Sequence, residues 1–110
     1  MQNITVKDAY KSLQDEKITL IDVREEDEFA QAHIEGAQLC CLSDLPKQIE
    51  KVKIPEDNKV FVYCLKGGRA SKAIEFLSEN VLKGFDVYNI EGGITEWSEQ
   101  DLPLVHPNKI

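Results

Sequence analysis

Val60-Phe61-Val62-Tyr63-Cys64-Leu65-Lys66-Gly67-Gly68-Arg69-Ala70-Ser71 is the stretch on which the fold turns. Its first four residues are an unbroken run of β-branched and aromatic residues, which suit a pleated, buried surface. Its second half passes through two glycines into a helical repeat. Ala70, Ala73, Ile74, Leu77 and Val81 recur at i, i+3, i+4, i+7 and i+11, one face of a long helix that Gly84 would stop. A strand that ends at a cysteine, turns through glycine and enters a helix at once is one arm of an α/β fold.

The same alternation extends to both sides. Thr5 can cap a helix over residues 6–14, with Ala9, Tyr10 and Leu13 facing inward. Residues 18–23 (ITLIDV) read as a buried strand, and residues 25–31 as a short acidic helix anchored by Phe29. Residues 38–42 are a further strand, after which Ser43 or Asp44 caps a helix to about residue 51. Pro and Asx residues make 54–58 a turn. Residues 59–63 form the strand of the opening stretch, residues 85–90 another, and Gly92-Gly93 opens a last short helix carrying Trp97. The expected fold class is α/β: a three-layer sandwich in which a mainly parallel sheet has helices on both faces.

The chain has 110 residues, which predicts a single domain over residues 1–110, large enough for a core without disulfides or metals. With 13 basic and 20 acidic side chains the net charge is −7, and the acidity is spread over both halves. That sign argues against nucleic acid or an anionic membrane as partner. The longest apolar run, residues 60–65, is far too short to span a bilayer, and the N-terminal residues show no leader pattern. Three cysteines, two of them adjacent (Cys40, Cys41), do not form a disulfide framework, and neither histidine has ligand spacing around it. A reduced, cytoplasmic protein without metal or cofactor is expected.

The chemistry is expected at Cys64. Loops at the carboxyl ends of strands are where open α/β sheets bind ligands. Gly67 and Gly68 permit positive φ and close backbone approach, so successive N–H groups can converge on one point, assisted by the free amides and dipole of the following helix. That field favours a thiolate, the reactive form. Lys66 and Arg69 add positive charge against the net sign, which points to a small anion. The plainer alternative is a packing cysteine followed by a tight turn.

These residues resemble the rhodanese (thiosulfate sulfurtransferase) family over nearly the whole chain. Leu20-Ile21-Asp22-Val23-Arg24-Glu25 with Glu28-Phe29 and His33-Ile34-Glu35-Gly36-Ala37 looks like the family's N-terminal signature. Cys64-Leu65-Lys66-Gly67-Gly68-Arg69 matches its C-x-x-G-x-R loop, and Val87-Tyr88-Asn89-Ile90-Glu91-Gly92-Gly93 with Trp97 its C-terminal stretch. The resemblance implies a five-stranded sheet, Cys64 as the carrier of a persulfide, and Leu65, Lys66, Gly67, Gly68, Arg69 and Ala70 as its amide cradle. The implied substrates are a small anionic sulfur donor (thiosulfate or a persulfide, which a partner protein could supply) and a thiol or cyanide acceptor. Two departures stand out: Leu65 occupies a position where arginine is frequent, and Gln38-Leu39-Cys40-Cys41 replaces a common Ile-Asn-Ile-Pro run.

The rival readings are a cysteine phosphatase or arsenate reductase, a persulfide relay, and a non-catalytic interaction module. The first resembles C-x5-R, one residue longer than the present loop. Asp22 and Arg24 read as scaffold, His33 as a residue holding a loop, and Trp97 as a core anchor. Cys40 and Cys41 read as structural cysteines on opposite faces of a strand, one buried and one exposed.

Overall fold

The computed structural model describes residues 2–107, so residues 1 and 108–110 of the expected domain lie outside it. Five strands, β1 (Gln2–Ile4), β2 (Ile18–Asp22), β3 (Gln38–Leu39), β4 (Lys59–Tyr63) and β5 (Val87–Ile90), form one sheet in the order β1-β5-β4-β2-β3. Every neighbouring pair is parallel. The helices are α1 (Val6–Asp15), α2 (Glu26–Gln31), α3 (Leu45–Gln48), α4 (Gly68–Ser78) and α5 (Gly93–Glu99), with short 3₁₀ turns at Leu42–Asp44 and Ile49–Lys51.

The period-2 alternation of β4 divides the core in two. Val60 and Val62 pack with Ile21, Leu45, Ile49, Ala73 and Leu77 beneath α3 and α4. Phe61 and Tyr63 point the other way, into Leu20, Ala9, Ile94 and Trp97 beneath α1 and α5. The α/β sandwich with helices on both faces is therefore the fold observed. Thr5 caps α1 as expected, accepting a hydrogen bond from the Asp8 amide at 3.2 Å.

Besides the helix expected to about residue 51, which is α3 between two 3₁₀ turns with no side-chain cap from Asp44, four details differ from the sequence reading. β1 has no strand pattern because it is a three-residue edge whose side chains are mostly exposed; its pairing with β5 is what orders it. β5 starts at Val87, because the Asp86 carbonyl already bonds the Val60 amide and the chain before it is still turning. α4 stops at Ser78, and Val81, expected on its buried face, is 49% exposed. A turn over residues 79–84, in which the Leu82 amide reaches back to the Leu77 carbonyl at 2.8 Å, buries Leu82 instead.

The fourth concerns the paired cysteines. β3 ends at Leu39, before either cysteine, so strand alternation does not govern them and both Cys40 and Cys41 are buried. The Cys40 and Leu42 amides instead bond the Asp22 and Val23 carbonyls at 2.8 and 3.1 Å.

Candidate active site

β4 is hydrogen-bonded on both sides, by β5 and β2, and it delivers Cys64 to the carboxyl edge of the sheet. The chain then needs a reversal within three residues. Gly67 makes it with φ +114°, a left-handed conformation that any other residue would adopt under strain, and α4 starts at once. The result is a bowl. The Gly67 amide donates to the Cys64 Sγ at 3.0 Å. The first-turn amides of α4, from Gly68, Arg69 and Ala70, have no acceptor within the helix and lie at its positive end. Cys64 is 1% exposed. Leu65, Lys66 and Gly68 are exposed at the rim, Gly67 and Arg69 are half-buried, and Ala70 is buried.

The bowl is held from behind by two devices that the sequence reading did not identify. The Gly67 carbonyl accepts from the Ser71 amide (3.0 Å), the Ser71 hydroxyl (3.1 Å) and the Asn89 amide side chain (3.2 Å). Asn89 also donates to the Ser71 Oγ at 3.0 Å. Across the loop, the Ile94 and Thr95 amides at the start of α5 donate to the Cys64 and Leu65 carbonyls at 3.0 and 3.1 Å. This approach demands glycine at position 93, where a Cβ would lie 2.6 Å from the Leu65 carbonyl oxygen and against that of Cys64. A buried asparagine in a strand, and the second of two glycines, were the available signals.

The Asn89 contact predicts a measurable loss. Asn89→Ala removes one of three donors to Gly67, so it should lower the turnover number about fivefold and stability by ~1 kcal/mol, the net worth of one hydrogen bond. Turnover assays beside chemical denaturation test this; reduced stability with unchanged turnover would leave Asn89 a purely structural part.

Arg69 does not face the bowl unaccompanied. Its two terminal nitrogens bond the two carboxylate oxygens of Glu28 at 2.7 and 3.0 Å. Those bonds lower the Glu28 pKa to about 2 from an ordinary 4.5. The folded-state value is depressed, so the pair is complete above the ordinary value and is lost only as pH falls toward about 2. Glu28 is placed by the capping box of α2, in which it also accepts the Glu25 amide at 3.1 Å.

Asp22 and Arg24 brace the site from within, in keeping with a scaffold role. Arg24 forks onto Asp22 (2.8–3.2 Å) and donates to the Ala32 carbonyl at 2.6 Å, both side chains being buried. Deleting either partner would strand a charge in the core, at ~3–5 kcal/mol. Burial pushes the Tyr63 hydroxyl up, so it stays neutral and accepts the Ile34 amide at 3.1 Å. His33 stacks on Phe29 with ring centroids 3.8 Å apart, its backbone pairs with Val105, and its Nδ1 lies 2.9 Å from the Phe29 carbonyl. It ties a loop, as expected. Trp97 donates to the Pro103 carbonyl at 2.9 Å and meets Tyr10 edge-on, an anchor for α5.

Burial raises the Cys40 thiol to about 11, and burial together with Glu25 raises Cys41. Both changes disfavour the thiolate. A Cys40→Ala, Cys41→Ala double variant should therefore keep most of any turnover that depends on Cys64 and lose ~1–2 kcal/mol of stability through small cavities. A collapse in turnover with unchanged melting would instead make one of the pair a redox partner of Cys64. Among the described residues, no group of three or more His, Cys, Asp or Glu could hold a metal, and no helix is long and apolar enough to cross a membrane.

Comparison with known proteins supports the resemblance seen in the sequence. The family model described as the rhodanese-like domain matches residues 5–100. A sulfurtransferase of Allochromatium vinosum is 34% identical over 84% of this chain and 82% of that protein. A tRNA uridine(34) hydroxylase of Cronobacter sakazakii is 36% identical over 84% of this chain but only 28% of its own length. Among solved structures, a rhodanese-related protein of Thermoplasma volcanium superposes with a TM-score of 0.81 at 30% identity, covering 96% of this chain and 98% of that one.

Proposed function

Because the chain belongs to the rhodanese-like domain family, we propose that it is a single-domain sulfurtransferase carrying sulfane sulfur on Cys64. The Cys64 thiolate attacks the outer sulfur of the donor. The Sγ–S bond forms as the donor's S–S bond breaks, and its electron pair leaves with sulfite or with a thiolate. The terminal sulfur of the resulting persulfide is then attacked by cyanide or a thiolate. Thiocyanate or a new persulfide departs, and Cys64 returns to the thiolate, a ping-pong sequence. Gly67 and the first-turn amides of α4 stabilise the anionic sulfur as an oxyanion hole would. The cytoplasm keeps thiols reduced, as this chemistry requires.

The observation that carries the reading is the Gly67 amide aimed at the Cys64 Sγ from 3.0 Å in a bowl at a helix N-terminus. Intact mass spectrometry after incubation with a donor tests it: the protein should gain one sulfur atom, lost again on adding cyanide. No gain with any donor would discard it.

The phosphatase or arsenate reductase reading fits less well. The four residues between Cys64 and Arg69 make a bowl sized for one sulfur atom, and Arg69 is occupied by Glu28. Sulfur-relay service between partner proteins would use the same residues, with only the donor changed. A purely non-catalytic module would leave the aimed amide and the buried thiol without a use.

A further inference from the structure

We propose that the site is built for a singly charged sulfane-sulfur donor with an apolar body, and that dianionic thiosulfate is a poor donor for it. The proposal rests on Cys64 as the sulfur carrier and narrows its substrate class. Charge balance and surface chemistry carry it independently.

The first is charge. Arg69, the loop cation on which Cys64 acts electrostatically, is bound through both terminal nitrogens to Glu28. Glu25 acts electrostatically on the same guanidinium and is held in place by the Ser43 hydroxyl at 3.0 Å. Arg69 is thus matched by Glu28 and Glu25 before the Cys64 thiolate is counted, and Arg24 is locked on Asp22. Lys66 is exposed, where a solvated ammonium attracts weakly and is screened by salt. Thiosulfate brings two negative charges toward a thiolate whose neighbouring fixed cation, Arg69, is already matched. A persulfide or thiosulfonate brings one.

The second is the surface beside the nucleophile. Leu65, the residue after Cys64, is 41% exposed. An open groove of about 370 Å³ is lined by it with Ala32, Ile94 and Leu104, by Arg24 (already ion-paired to Asp22), and by exposed Glu99 on its rim. Apolar walls suit a hydrocarbon body, and the rim carboxylate disfavours a second anionic group at the far end. An aryl or alkyl thiosulfonate meets both conditions. Attack of the Cys64 thiolate on its terminal sulfur forms the Sγ–S bond, breaks the bond to the sulfonyl sulfur and releases a sulfinate, with charge conserved.

The test uses the whole chain with thiosulfate, methanethiosulfonate and benzenethiosulfonate. Each kcat/KM with cyanide is divided by the donor's rate with a free small thiol, which removes intrinsic reactivity. The expected order is benzenethiosulfonate over methanethiosulfonate over thiosulfate, each step about tenfold. Leu65→Ser should bring the benzene-to-methane ratio near one, while Leu65→Arg should shift preference toward thiosulfate. Glu28→Gln, which releases Arg69, should shift it the same way. A normalised thiosulfate value equal to that of methanethiosulfonate, or a benzene-to-methane ratio untouched by Leu65→Ser, overturns the proposal. Absence of added sulfur on Cys64 with all three donors overturns the carrier reading itself, and this proposal with it.

Discussion

Cys64→Ser removes sulfur transfer while leaving the fold in place. The hydroxyl is nearly the thiol's size and can still accept the Gly67 amide, so the bowl keeps its shape and stability changes by no more than about 1 kcal/mol. What disappears is the nucleophile, because a serine hydroxyl here has no base to ionise it; His33 is tied to Phe29 and Val105. A fall on the order of 10⁴-fold or more in turnover is expected, with no sulfur gained in the intact mass. Turnover near that of the native protein would remove the mechanism entirely.

Gly93→Ala has the second largest effect, although residue 93 touches no substrate. Its φ is +58°, where a Cβ is strained, and the added carbon would press on the backbone of Cys64 and Leu65, 2.7 Å from the Leu65 carbonyl carbon. Backbone cannot swing aside as a side-chain tip can. Either α5 retreats, stretching the Ile94 and Thr95 hydrogen bonds, or the loop moves and takes Cys64 off its amide. A displacement near 1 Å costs about 10²-fold in rate, and the clash with the strained φ costs ~3 kcal/mol. Gly84→Ala is the control: its φ is +89°, yet a Cβ there meets nothing within 4 Å. It should lose stability alone. If Gly93→Ala and Gly84→Ala lose turnover equally, docking of α5 against the loop is not what shapes the bowl.

The residues that were readable in advance are those whose signal is local. The run of residues 60–63, the glycines after Cys64 and the periodicity of Ala70, Ala73, Ile74 and Leu77 each express a constraint satisfied within one element. The helix end was misplaced because Val81 keeps the helical spacing while the chain has already turned to bury Leu82. β1 is visible only through its partner β5, and the burial of both Cys40 and Cys41 only through the carbonyls of β2. The site divides in the same way. Cys64 and its loop are contiguous and could be read, whereas the Glu28 that claims Arg69 is 41 positions away and the Asn89 behind Gly67 is 22 away. Glu28 stood out with Phe29 in the N-terminal signature, but acidic residues are common at helix starts and nothing local tied it to Arg69.

The place of β4 in the strand order governs how the site fails. Its ladder is shared with β5 on one side and β2 on the other, whereas β1 and β3 lie at the edges with three and two residues. Fraying starts at such edges and can proceed without disturbing the centre. Cys64 follows directly on β4, whose residues 60–62 pair with both neighbours, so melting the strand beneath it means rupturing two ladders at once. Amide hydrogens of Phe61 and Val62 should therefore exchange with solvent only through the global transition, and those of β1 through local opening. On heating, the proposed catalysis should outlast the fraying of β1 and β3 and be lost with the central ladders.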